Sequence, residues 1–85
     1  MRISIEVPNE TVRDLVREWC RKHSRLDVPN VYQVSEATVV TDRNDYFVMT
    51  GGSRLTEWKH CFLIRDFGHF LRVFRAYDSL VRTER

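Results

Sequence analysis

Residues 37–65 read ATVVTDRNDYFVMTGGSRLTEWKHCFLIR, and the way this stretch doubles back decides the fold. Residues 37–41 are rich in β-branched side chains and read as a strand. Asp42 to Asp45 carry the Asp and Asn residues that favour a turn. Residues 45–50 make a second strand. Gly51-Gly52 follows, and because both glycines tolerate positive φ the pair reads as a two-residue hairpin loop. Residues 55–65 then form a third, longer strand. Leu55, Trp58 and Phe62 also have helical spacing, but the hairpin loop and the run Cys61-Phe62-Leu63-Ile64 favour the strand.

With two-residue loops at Gly51-Gly52 and Arg43-Asn44, Val48 faces Leu55, Val40 faces Phe47 and Val39 faces Val48. Paired residues share a face. One face then collects Val40, Phe47, Met49, Trp58, Phe62 and Ile64, bulky enough to carry packed helices. The other collects Ala37, Val39, Thr41, Tyr46, Val48, Leu55, Cys61 and Leu63, with Glu57 and Lys59 among them. An antiparallel sheet with one wet face shows polar residues there, and this second face is largely apolar. It calls for cover: a crossing helix, the 24–34 segment, a second copy of the chain, or another protein. Large exposed apolar patches mark interaction sites, so Val39, Tyr46, Val48, Leu55 and Leu63 become the candidate partner-binding residues. The assignment depends on loop length, because one residue more or less swaps the faces of a strand.

N-terminal to the meander, Arg2-Ile-Ser-Ile-Glu-Val7 alternates with period two and reads as a half-buried strand that Pro8 ends. Asn9 is a good N-cap and Glu10 suits the first turn of a helix. Val12, Leu15, Val16, Trp19, Cys20 and His23 form one apolar stripe, which places a helix at about residues 10–23. Asp14 with Arg17, and Glu18 with Lys22, have helix-neighbour spacing. Residues 24–30 read as a loop, and Tyr32 to Val34 as the beginning of a strand or a short turn. C-terminal to the meander, Asp66 can cap a last helix with the stripe Phe67, Phe70, Leu71, Phe74, Tyr77 and Val81. Asp78 and Arg82 have the spacing of an ion pair one helical turn apart.

The expected fold class is α+β: an antiparallel sheet with two amphipathic helices, in the order β-α-β-β-β-α, forming a single compact domain over residues 1–85. Its elements from the first helix onward, α-β-β-β-α, resemble those of the double-stranded RNA-binding domain. Phe67-Gly68-His69-Phe70 stands where that family starts its last helix with lysines, so its phosphate-binding residues do not carry over.

Hydrophobic residues make up 42% and charged residues 31% of the 85, which excludes disordered and collagen-like chains. The apolar run Cys61 to Ile64 is far too short for a membrane span, so no membrane partner is expected. A net charge of +2 does not by itself imply nucleic acid. The basic residues are nevertheless unusual in kind, 12 being Arg and only Lys22 and Lys59 being Lys. Arg13, Arg17 and Arg21 recur every four residues on the first helix, and Arg72, Arg75 and Arg82 line the second. Rows of this kind suit phosphates or an acidic partner, although Asp14, Glu18 and Asp78 stand among them.

Chemistry is thinly represented. Cys20, His23, His60, Cys61 and His69 are soft ligands, but His60 and Cys61 are adjacent on a strand and point to opposite faces. Cys20 with His23, or Asp66 with His69, lacks any glycine-rich anion loop or oxyanion donor set nearby. No catalytic, cofactor or metal residue is expected, and no enzyme. Two cysteines cannot build a disulfide framework, and Arg2 and Glu6 interrupt any signal-peptide core, which points to the cytoplasm. The expected function is a small non-catalytic binding protein, an inhibitor or regulator of the compact anti-defence kind that phages and mobile elements encode. It would occupy a surface of a protein or protein–nucleic-acid complex, with a homo-oligomer as a further arrangement. The alternative is a nucleic-acid-binding module acting through the arginine rows.

Overall fold

A computed structural model describes residues 1–41, 46–51 and 57–83. The elements run β1 (Arg2–Glu6), α1 (Glu10–His23), β2 (Val31–Val34), β3 (Ala37–Thr41), β4 (Tyr46–Gly51), β5 (Glu57–Leu63) and α2 (Phe67–Thr83). The α+β class holds, with both helices where their stripes place them. Asn9 caps α1 by accepting the Val12 N–H at 3.1 Å, and Asp66 caps α2 by accepting the His69 N–H at 2.7 Å. Among the described residues no helix is long and apolar enough to cross a membrane.

The sheet differs from expectation in order and direction. It has five strands in the order β2-β3-β4-β1-β5, with β1 and β5 parallel and the other pairs antiparallel. Tyr32 to Val34 belong to a full strand, which adds an element to the expected order and removes the likeness to α-β-β-β-α. The Gly-Gly corner is not a hairpin between neighbours, because β1 lies between β4 and β5. The reason is visible at Gly51. Its N–H donates to the Met1 carbonyl at 3.1 Å and its own carbonyl accepts from the Met1 amine at 2.7 Å. β1 buries Ile3 and Ile5 and is paired along both edges. Gly51 serves close approach here: a Cβ would stand 3.0 Å from the Glu36 carbonyl oxygen and 3.0 Å from both Val81 methyls.

The β3–β4 register is also displaced by one residue. Val40 pairs with Val48, Val39 with Met49 and Thr41 with Phe47. The last pair leaves an odd number of residues between Thr41 and its partner Phe47, where a two-residue loop leaves an even number between cross-strand partners. Asp42 to Asp45 lie outside the described residues. The shift carries Ala37, Val39 and Thr41 to the side of Phe47 and Met49, and sends Val40 to the side of Val48, as a one-residue slip must.

Both helices lie on that first side. Ile3, Ile5, Val34, Ala37, Val39, Phe47 and Met49 meet Val16 and Cys20 of α1 and Phe70, Phe74, Tyr77 and Val81 of α2 in one core. Trp19 bridges the helices edge-on, 5.5 Å from Phe70 and 5.0 Å from Phe74 between ring centroids. Leu15, assigned to the α1 stripe by its spacing, is exposed. The Tyr77 hydroxyl donates to the carbonyls of Met1 and Met49, tying α2 to the two central strands.

Candidate functional site

The far side of the sheet carries neither helix. Cross-strand partners order its side chains into rows. The central row runs Val31, Val40, Val48, Ser4, Cys61 across all five strands. Tyr46, Glu6 and Leu63 form the row beside it. On the other flank lie Gln33, Thr38, Thr50 and Arg2, with the Thr38 hydroxyl donating to the Gln33 side chain at 2.8 Å. An apolar band interrupted by Ser4 and Glu6 therefore crosses the bare face beside a polar border. Val40 is 36% exposed, Tyr46 44% and Leu63 48%. Tyr46, Val48 and Leu63 stand on this face as their spacing implied. Val39 does not: it is 0% exposed under the helices, a correction that follows from the register shift. Val40 takes its place. Leu55 lies outside the described residues, as do the side chains of Trp58 and His60.

The arginine rows are largely engaged within the chain. Arg13 donates from Nε to the Val7 carbonyl and from Nη2 to the Pro8 carbonyl, each at 3.1 Å, pinning the β1–α1 link. Arg17 lies over the Phe47 ring, 5.9 Å from its centroid. Arg21 pairs with Glu18 at 2.5 Å, in place of the pairings expected from spacing, and the Glu18 hydrogen bond and charge raise its already high pKa. Arg82 pairs with Asp78 at 3.0 Å, as its spacing implied. Arg72 and Arg75 are exposed, and among the described residues neither has an ion pair.

The spacing of Asp78 and Arg82 gave no sign that the carboxylate is buried. Asp78 accepts the Ser35 hydroxyl and the Glu36 N–H, each at 3.1 Å, and so fastens α2 to the β2–β3 turn. Ser35 sits at φ 54°, a conformation uncommon outside glycine.

The two thiols are free and differ in access. Cys20 is buried in the core, and burial pushes its pKa up to about 12. His23, one turn on, turns its Nδ1 to the Trp19 carbonyl at 2.9 Å. Among the described residues no three His, Cys, Asp or Glu side chains converge as metal ligands. Cys61 is exposed on the bare face, its pKa raised by local desolvation and then by the Glu6 carboxylate. A maleimide should therefore label Cys61 alone in the folded protein. At a fixed pH below the thiol pKa, Glu6→Gln removes a like charge, lowers that pKa and should speed labelling. Peptide mapping after a timed reaction would measure both effects. Equal labelling of Cys20, or a rate unmoved by Glu6→Gln, would contradict the placement of these groups.

The fold and site together define a two-layer α+β domain with one helix-covered sheet face and one that, among the described residues, no helix covers. No protein-family model, curated protein or solved structure matches the chain.

Proposed function

We propose that the protein is a small non-catalytic binding protein that occupies a surface of a macromolecular partner, as an inhibitor or regulator, through the bare band of its sheet. The supporting observation is the band itself: Val40, Tyr46, Val48 and Leu63 lie on adjoining rows that neither helix crosses. The core on the helix side is filled without them. Covering them removes apolar area from water, at about 25 cal/mol per Å² before the cost of association is subtracted. Tyr46 is the natural anchor, since tyrosine carries apolar area with few rotamers to freeze. Glu6 between Tyr46 and Leu63 favours a partner with a cation facing it and disfavours bare phosphate. A protein surface fits this band better than nucleic acid does.

Cys61 supplies the test, because a photo-crosslinker attached there projects from this face beside Ser4, and the Tyr46 change tells a contact of the face from one at the β5 edge. Irradiation in extracts of the cell that encodes the protein should give one discrete adduct. In Tyr46→Lys/Leu63→Lys, whose changes are at exposed sites, adduct yield should fall by about tenfold or more with the melting temperature held. An undiminished adduct in that variant would overturn the reading. So would salt-sensitive binding to duplex RNA or DNA that is lost in Arg75→Glu and kept in the Tyr46→Lys/Leu63→Lys variant, which favours the arginine rows. An adduct of two copies of this chain would make the cover a homodimer and end the inhibitor reading.

A further inference from the structure

The two sheet edges are finished differently. At β2 the outward backbone groups are closed by the preceding loop. Gln33 N–H donates to Ser24 Oγ at 3.1 Å, Arg25 N–H donates to the Gln33 carbonyl at 3.0 Å, and Val31 N–H donates to the Val28 carbonyl at 3.3 Å. At β5 no described strand lies outside. An edge with unmatched backbone groups is a template for another extended chain. A register shift between Arg2 and Ser4 confines regular β1–β5 pairing to Cys61–Leu63, so the offered edge is short.

A groove of about 330 Å³ opens beside that edge on the helix side, walled by Ile3, Phe62, Val73, Ala76 and Leu80. Phe62 is 36% and Leu80 42% exposed. These α2 residues face away from the α1 contact and form a second apolar flank on the helix. His69 and Arg72 stand at the N-terminal end of the groove and, with Arg65, surround the adjoining depression. Among the described residues, the guanidinium groups of Arg65 and Arg72 have no ion pair. Asp66, the one acid in that depression, accepts the His69 N–H as the helix cap.

We propose that this corner docks a short extended segment of a partner protein carrying a large apolar side chain next to a carboxylate. The apolar side chain fills the groove, the carboxylate meets Arg72 and Arg65, and the backbone runs along Cys61–Leu63. This is strand addition with a side-chain pocket, where main-chain bonds hold the segment and the pocket selects it. The groove is open along one side, which suits an anchor projecting from a chain better than a fully enclosed small molecule. Its cationic end sets the sign of the ligand.

A displayed library of random heptapeptides, selected on the wild-type protein, tests this without knowledge of the partner. Enriched peptides should place Leu, Phe or Met within two positions of Asp or Glu. A synthetic peptide from that set should lose affinity by about tenfold in Arg72→Glu and in Leu80→Glu, both changes being at exposed sites. It should slow hydrogen exchange at the Cys61–Leu63 amides, and it should bind Tyr46→Lys unchanged. That last arm separates this groove from the bare sheet face, so either reading can fail alone. No enrichment, enrichment of basic peptides, full affinity for Leu80→Glu, or unaltered exchange at Cys61–Leu63 would each overturn the proposal. Concentration-dependent dimerisation abolished by Leu80→Glu would overturn it too, by giving the groove to a second copy.

Discussion

Phe70→Ala is expected to lower the free energy of unfolding by about 3–5 kcal/mol, the range for truncating a fully buried aromatic side chain. Phe70 is 0% exposed. It meets Trp19 edge-on at 5.5 Å and lies 6.1 Å from the rings of both Phe67 and Phe74. Aromatic pairs at such distances add about 0.5–1.5 kcal/mol beyond their buried area. The substitution thus removes transfer energy, leaves a cavity between the helix layer and the sheet, and withdraws the ring on which Trp19 of α1 rests. The strand residues of the same core cannot close the space without breaking backbone ladders, so relaxation is limited. Urea unfolding followed by circular dichroism measures the loss, with an unchanged slope confirming that the folded state is still compact. A loss below about 1.5 kcal/mol would mean that the site collapses freely and that the helices are not held to the sheet as described.

The same ring pairs show what could be read from the sequence and what could not. Period-two alternation put Ile3, Ile5 and Val7 on one side, and all three are buried. The helical stripe named Phe70, Phe74, Tyr77 and Val81 as the inward face of α2, and those too are buried. Both caps, Asn9 and Asp66, were legible because a cap is a local bargain between one side chain and a nearby N–H. The sheet order was not. Which strand lies beside β4 depends on a contact between Gly51 and Met1, at opposite ends of the described strands, and no local pattern encodes it. Nor was the β3–β4 register, where one extra residue between Thr41 and Phe47 exchanged Val39 for Val40 on the bare face. Tyr46, Val48 and Leu63 kept their side because β4 and β5 alternate correctly whatever their neighbours are. The groove beside α2 was missed for a related reason: Val73, Ala76 and Leu80 fall outside the main stripe, and only the position of β5 turns them into a wall.

Asp78→Ala should cost about 2–4 kcal/mol, although it deletes a charged residue from a helix. Asp78 is only 8% exposed. Its Oδ1 accepts the Glu36 N–H and its Oδ2 accepts the Ser35 hydroxyl, each at 3.1 Å. Alanine leaves that N–H and hydroxyl without this acceptor beneath α2, where both residues are half-buried and water replaces it only in part. Ser35 is held at φ 54° by the same contacts, so the turn loses the interactions that offset its strain. The Arg82 half of the pair contributes differently. Its side chain is 62% exposed against 11% for Asp78, and an ion pair with a largely solvated partner is worth about 0–1 kcal/mol. Arg82→Ala should therefore cost under about 1 kcal/mol, and Asp78→Asn should fall between the two, since an amide oxygen still accepts the Glu36 N–H. Urea titrations of the three variants would establish the order. If Arg82→Ala cost as much as Asp78→Ala, the stabilisation would come from the exposed guanidinium, through its ion pair with Asp78 and its 2.7 Å hydrogen bond to Ser35 Oγ. The carboxylate would then not be what locks α2 to the β2–β3 turn.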